Sequence, residues 1–329
     1  MRLTELVEHE DGGQWRCGVC QWRCGLAEGE TGRCLVRVAT ADGIEAQHDG
    51  MISAANFGPI EEHRLWHFFP DTQVLAIGGW GYAFPADQQR GQYGGVPAEE
   101  SQRRRLEPER AAAVALERLC RGVVWSYSDP SVSVEYITEM LQYSRASSRY
   151  TALVTSGYST IAALDMYGHY LDGISLELRA FDDAAYKRLA GVEHWRGILE
   201  VVAHARQRWS CHVEVTTRLH PNVNDSIDQI QALVGWVRET LGPNTPWHVL
   251  PGDAGASAAA TVARARRLGH EAGLRYVYGP EPGQTTRCHQ CGHTLIERGA
   301  TSGRVVGITD GRCHSCGADP QMRLSIFKR

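Results

Sequence analysis

Six times between residues 73 and 272, a short run of apolar, strand-like residues is followed by an amphipathic helical pattern. The candidate strands are Gln73 to Gly78, Gly122 to Tyr127, Thr151 to Thr155, Gly173 to Leu178, His212 to Thr217 and Trp247 to Leu250. The candidate helices are Pro108 to Cys120, Ser131 to Tyr143, Ser159 to Tyr167, Trp195 to Arg208, Ser226 to Leu241 and Ala258 to Ala272. Strands that alternate with helices imply a parallel sheet with covering helices, because each crossover needs an element to carry the chain back. The expected fold is α/β, a partial (β/α)6 TIM-like barrel. A barrel takes roughly 250 residues, so 329 residues with 43% hydrophobic content accommodate one barrel and small appendages. The expected boundaries are 1–56 for an N-terminal segment, 57–275 for the barrel and 276–329 for a C-terminal module. The stretch from Gly78 to Gly95 is too long and too rich in turn residues for a regular element, and a loop is expected there.

A formal net charge of -4 and pI near 6.4 provide no general basic surface, and the run Arg103-Arg104-Arg105 reads as a solvated face. Nucleic acid is therefore not an expected partner. Met1 to Arg16 is acidic and polar with no apolar core of a leader, and no later run reaches the ~20 apolar residues of a membrane span. A cytoplasmic protein without membrane contact, acting on a small molecule, is expected.

Eight of the ten cysteines fall into two sets with metal-ligand spacing. Cys288-x2-Cys291 and Cys313-x2-Cys316 each precede a glycine that lets backbone amides turn toward sulfur, which is the spacing of a zinc ribbon. Four thiolates close a tetrahedral site, so this zinc stabilises the fold. The other set is Cys17-x2-Cys20-x3-Cys24-x9-Cys34. Four thiolates within 18 residues suit zinc or an iron–sulfur cluster, and zinc is the favoured occupant. Cys120 and Cys211 read as small buried hydrophobes.

Polar residues gather where the strands end: Trp80, Asp129, Ser156, Glu177, Arg179, Arg218 and His248. The C-terminal ends of parallel barrel strands form the functional face, so a ligand pocket is expected there. Taken singly, each of these residues also reads as a helix cap or a satisfied ion pair.

In order along the chain, Cys17-Gly18-Val19-Cys20-Gln21-Trp22-Arg23-Cys24, Thr31-Gly32-Arg33-Cys34, Pro59-Ile60-Glu61, Leu65-Trp66-His67-Phe68, Trp125-Ser126-Tyr127-Ser128-Asp129-Pro130 and Val154-Thr155-Ser156-Gly157-Tyr158 form a recognisable series. Leu176-Glu177-Leu178-Arg179-Ala180-Phe181, Pro221-Asn222-Val223-Asn224-Asp225-Ser226, Pro246-Trp247-His248, Tyr276-Val277-Tyr278 and Leu295-Ile296-Glu297-Arg298 continue it. The series resembles the radical S-adenosylmethionine (SAM) proteins of the AmmeMemoRadiSam system, relatives of pyruvate formate-lyase activating enzymes, over nearly the whole chain. The resemblance implies a barrel of radical SAM type and a Cys-x3-Cys-x2-Cys loop after the first strand. In this sequence that spacing falls on Trp80, Phe84 and Asp87, which cannot replace three thiolates on a cubane cluster. The likeness further places Asp129 near the SAM amino group, where the family carries a longer acid, and replaces a family Asn by Ser156. The family's Asp-x-Lys becomes Glu177-x-Arg179, which keeps the charges and exchanges a point charge for a planar fork. Gly-Asn becomes Gly279-Pro280.

The expected function is that of a cluster-less radical-SAM-fold protein that binds SAM or a SAM-like ligand and runs polar transfer or elimination on a small molecule. Asp129, Glu177 and His248 are the candidate catalytic residues, with His248 suited to proton transfer by its near-neutral pKa. Trp80, Asp129, Ser156, Glu177, Arg179, Arg218 and His248 are the candidate cofactor contacts, and no [4Fe-4S] cluster is expected at Trp80, Phe84 and Asp87. The alternative is a catalytically silent scaffold in which Trp80 and Phe84 fill the cluster space. A mononuclear metal enzyme using Asp87, Glu177, His248 or nearby histidines is a third option.

Overall fold

The computed structural model describes residues 2–10, 12–252, 256–299 and 302–327, and the chain divides into two compact units. The first takes Met1–Gly58, Val74–Asp172 and Ala190–Cys211, and the second takes Pro59–Gln73, Gly173–Leu189 and His212–Arg329.

The first unit contributes to its main sheet the strands β1 (Ala54–Pro59), β2 (Gln73–Gly78), β3 (Gly122–Trp125) and β4 (Tyr150–Thr155), in the spatial order β4-β3-β2-β1. β3 is parallel to both neighbours, with Gly122 opposite Val74 on one side and Tyr150 on the other. Parallel neighbours need long crossovers. Helices Pro108–Glu117 and Val134–Ala146 supply them, the first entered through Pro108 at a position where a missing N–H costs nothing. Val74, Leu75, Ala76 and Ile77 are all buried, as are Val123, Val124 and Trp125, the pattern of strands covered on both faces. Helix Ile161–Tyr167 starts at Thr160, whose hydroxyl accepts from the amide of Ala163 at 3.1 Å.

Two antiparallel hairpins precede β1, pairing Val7–Glu10 with Gln14–Cys17 and Arg37–Thr40 with Gly43–Ala46. The second hairpin sends Arg37 into the interior. Its guanidinium donates to both carboxylate oxygens of Glu135 at 3.0 and 2.5 Å and to the Val132 carbonyl at 3.2 Å. Arg37 is 1% exposed and Glu135 5%. Burial pushes the Glu135 carboxyl up, but the adjacent Arg37 charge and hydrogen bond outweigh it and hold the group below its ordinary value.

The second unit carries β5 (Gly173–Glu177), β6 (His212–Leu219), β7 (Trp247–Pro251) and β8 (Val277–Tyr278), in the order β8-β7-β6-β5 with each neighbouring pair parallel. Helix Ile227–Trp236 is capped by Ser226, passes into a π-helical turn over Val237–Leu241, and ends at Gly242 with φ +103°. A small antiparallel sheet follows, built from β9 (Thr286–Arg287), β10 (Thr294–Arg298) and β11 (Gly303–Val305).

All six expected strands are present as members of a parallel α/β arrangement, with five of their twelve ends shifted by one or two residues. The segment expected to be a loop over residues 78–95 contains a helix, Pro85–Arg90. Its surrounding glycines mask it in the sequence, while Pro85 at the first helical position and Asp87 in the first turn are ordinary start signals. No helix among the described residues is long and apolar enough to cross a membrane.

Two stability predictions arise from the first unit. Glu135→Ala leaves the Arg37 charge buried without its partner and should cost about 3–5 kcal/mol, measured by urea unfolding; a loss within error of zero would mean that the pair is not what holds this hairpin. Burial also pushes the His48 imidazole down to about 4, helped by the Arg37 charge. The unfolded chain then binds a proton that the folded chain refuses between about 6.5 and 4, so this stability is complete above the unfolded value and lost as pH falls through 4. The difference between wild type and His48→Asn should therefore shrink by about 3 kcal/mol from pH 7 to pH 4, and parallel pH profiles for the two proteins would refute the assignment.

Candidate functional site

The C-terminal cysteines sit on two matching turns. The amide of Cys288 donates to His293 and that of Gly292 to Cys288; the amide of Cys313 donates to Ala318 and that of Gly317 to Cys313. Each turn needs a left-handed residue, supplied by Gly292 at φ +73° and Gly317 at φ +75°. The four sulfurs lie within 4.8 Å of one another, with Cys288 to Cys316 at 3.6 Å and Cys291 to Cys313 at 3.7 Å. Zinc–sulfur bonds of about 2.3 Å in a tetrahedron separate sulfurs by about 3.8 Å, so this donor set fits a closed four-thiolate metal site. The backbone amide of His293 draws the Cys291 thiol down to about 7.

In the first unit, Cys17, Cys20, Cys24 and Cys34 line one cavity of about 10 Å³ together with Arg37. Burial raises the thiol of Cys20, and the neighbouring Cys34 and Cys17 raise it further, so these sulfurs sense one another. The turn that carries Cys34 is fastened to the segment after β2. Gln88 donates its side-chain amide to the Cys34 carbonyl at 2.9 Å and to the Tyr82 carbonyl at 2.8 Å, and the Trp22 indole donates to the Ala83 carbonyl at 2.6 Å. Trp80 is 3% exposed with its ring edge toward His48, and Phe84 is fully buried against Tyr158. Two of the three positions with cluster spacing thus hold packed aromatic side chains.

Asp129 and Ser156 come together. The Asp129 carboxylate accepts from the Ser131 amide at 3.0 Å, capping the turn Pro130–Val132, and from the hydroxyls of Ser156 at 2.5 Å and Thr155 at 3.4 Å. Burial raises its pKa against these bonds.

The second unit gathers the remaining candidates on one face. Successive residues of a strand alternate sides, so His212, Glu214, Thr216 and Arg218 of β6 share a face. In register with it, Glu177 lies opposite Thr216, Thr216 opposite His248, and His248 opposite Tyr278. The other side of β6 carries Val213, Val215, Thr217 and Leu219. A parallel sheet is normally apolar on both sides, so one polar face marks a place where something other than core packing is served. Glu177, with 36% of its side chain exposed, stands 3.6 Å from Arg179 and 3.8 Å from Arg218.

His248 is fully buried and donates from Nε2 to the Glu214 carboxylate at 2.9 Å, while its Nδ1 has no hydrogen-bond partner. Glu214, also fully buried, is met in addition by His212 Nε2 at 3.0 Å and by the His67 amide at 2.7 Å. Burial pushes Glu214 up, and the bonds to His212 and His248 overcome it and hold the carboxylate below its usual range. Burial lowers His248 against the pull of Glu214. His67 Nε2 lies 2.7 Å from the Tyr278 hydroxyl, which lies 2.8 Å from the Thr286 hydroxyl. Neither Glu214 nor His212 is among the sequence candidates, and His67 and Tyr278 enter there only as parts of the recognised series. The strand itself carried the signal, since His212-x-Glu214-x-Thr216-x-Arg218 is a polar residue at every second position of a strand.

No family model matches the chain. It is 30% identical to the Uncharacterized protein MJ0808 of Methanocaldococcus jannaschii over 332 residues, covering 96% of this chain and 98% of that protein. A shorter stretch of 131 residues, 40% of this chain and 41% of the relative, is 25% identical to the Isethionate sulfite-lyase activating enzyme of Oleidesulfovibrio alaskensis. Among solved structures, a radical SAM methyltransferase from Sphaerobacter thermophilus is similar over 72% of both chains, with a TM-score of 0.50 and 15% sequence identity. That likeness identifies the fold.

The two matching turns make a direct prediction about metal. Cys313→Ser should release about one zinc equivalent per chain and lower the melting temperature, as read by metal analysis of the purified protein; an unchanged metal content would exclude a ligand role for Cys313.

Proposed function

Because the chain belongs to the family of the Methanocaldococcus jannaschii protein MJ0808, and shares a fold with radical SAM proteins, we propose that it is a member of that fold whose chemistry does not start from a cluster after its first strand. In this reading it is a divergent relative of the AmmeMemoRadiSam-system proteins, a partial barrel with a four-cysteine segment at one end and a zinc ribbon at the other. It binds SAM or a SAM-like zwitterion and runs polar transfer or elimination. Trp80, Phe84 and Asp87 do not fit a thiolate-held cluster, and no step is assigned to one.

The observation that carries the proposal is the rung Glu177, Thr216, His248 on the polar face of β5 to β7. Thr216 Oγ1 and His248 Nδ1 are buried atoms without hydrogen-bond partners, a condition that costs free energy unless a ligand or water completes them. Glu177 is only loosely paired, so its carboxylate has capacity to accept from a ligand amino group. Arg218, exposed beside it, offers a guanidinium fork to a carboxylate. These groups fit the amino acid end of SAM. When bound, SAM supplies an electrophilic sulfonium carbon. The chain contributes orientation through Glu177 and Arg218, and a proton relay at His248 Nδ1, held in one tautomer by the Glu214 bond at Nε2.

A second reading, a silent scaffold, draws on the packing of Trp80 and Phe84 and on an Asp129 carboxylate already engaged by a helix-type cap and two hydroxyls. Calorimetric titration of SAM into the anaerobically reconstituted protein, with iron, sulfide and zinc counted per chain, separates the two. The expected outcome is about two zinc, no reducible cluster, and SAM binding that weakens at least tenfold in Glu177→Gln. Zinc without SAM binding supports the scaffold, and a reducible [4Fe-4S] cluster overturns the cluster-free reading.

A further inference from the structure

Within the second unit, a cavity of about 240 Å³ is lined by Glu61, Glu62, Arg64, Trp66, Arg298 and Ser302 among others. None of these residues belongs to the polar rung discussed above. Arg298 stands at the end of β10 with 2% of its side chain exposed. Its Nη2 donates to the Trp66 carbonyl at 2.5 Å and to the Thr286 hydroxyl at 3.2 Å, and the guanidinium lies 4.8 Å over the Trp66 ring. Its Nε and Nη1 make no hydrogen bond.

The nearest carboxylate is incomplete in the complementary sense. Glu61, 5% exposed, accepts the Asp71 amide at Oε1 and stands 3.6 Å from Arg298 Nη1, beyond hydrogen-bond distance. Its Oε2 has no partner. Two unused donors of a buried cation and one unused acceptor of a buried anion therefore occur at the same cavity. Buried atoms of this kind are ordinarily completed by water or by a ligand.

The remaining lining decides the class of ligand. Two carboxylates, Glu61 and Glu62, and two guanidiniums, Arg64 and Arg298, balance in formal charge, so the cavity favours a molecule that carries both signs and little net charge. The Trp66 ring provides an apolar wall beside them. The volume equals about eight waters of bulk liquid and lies below the roughly 300 Å³ at which drug-sized pockets begin. That size suits a ligand such as a free amino acid.

We propose that this cavity is a binding site for a free α-amino acid, with its carboxylate on Arg298 and Arg64, its ammonium on Glu61 and Glu62, and its side chain against Trp66.

The test is calorimetric titration of the full-length, metal-replete protein with L-leucine, L-methionine and L-phenylalanine, each compared with its N-acetyl and methyl ester derivatives. At least one amino acid should bind one per chain with a dissociation constant below the millimolar range, and both of its capped derivatives should bind at least tenfold more weakly. Arg298→Gln should abolish binding. Because Arg298 also supports the Trp66 backbone, Ser302→Trp serves as the second variant, placed on an exposed residue of the lining. It should weaken binding at least tenfold with an unchanged melting temperature. The proposal is overturned if none of the three binds, if the capped derivatives bind equally well, or if Ser302→Trp binds like wild type. Binding of inorganic phosphate in place of the amino acids would assign the cavity to simple oxyanions and overturn it as well.

Discussion

A carboxylate cut off from water must be surrounded by donors, and Glu214 meets that condition by drawing on three different stretches of chain. His212 comes from its own strand, His248 from the next strand and the amide of His67 from the segment before β2. Removing one donor leaves a charge with an incomplete shell at a fully buried position, a larger loss than an exposed ion pair would suffer. The same arrangement constrains pairing. A slip of β7 by one residue would set Val249 where His248 faces Thr216 and carry the imidazole to the opposite side. The polar face of the second unit and the register that builds it are thus one requirement.

The parallel strands were legible in the sequence because a strand buried on both faces has to be a continuous apolar run, as Val74–Ile77 and Val123–Trp125 are. The cysteine turns at residues 288–317 were legible for a different reason. Their spacing is local, and the glycines after each pair allow the backbone one geometry that brings amides toward sulfur. Helix Pro85–Arg90 escaped notice because six residues give too little periodicity to stand out among turn formers.

The polar residues divide along the same line. Asp129 could be read from sequence as a ligand contact or as a cap, and its bonds to Ser131 and Ser156 supply the cap. The network around Glu214 joins residues separated by as many as 147 positions, and the His67 to Tyr278 contact spans 211. Such partners have no local signature, and only the period-two pattern of β6 points to one side of the network. Arg298 and Glu61 each stand in the recognised series, but they lie 237 positions apart and nothing local in the sequence shows that they meet.

Gln88 gives the first unit a property that its cysteines alone would not. By donating one side-chain amide to the carbonyls of Cys34 and Tyr82, it closes a ring between the N-terminal segment and the helix that follows β2. Opening either piece requires breaking the same bonds, so the two should exchange their amide hydrogens as a single cooperative block and not as separate surface loops. Residues 80–90, which would move freely as an ordinary insertion after a strand, instead keep time with the thiol-bearing turn beside them.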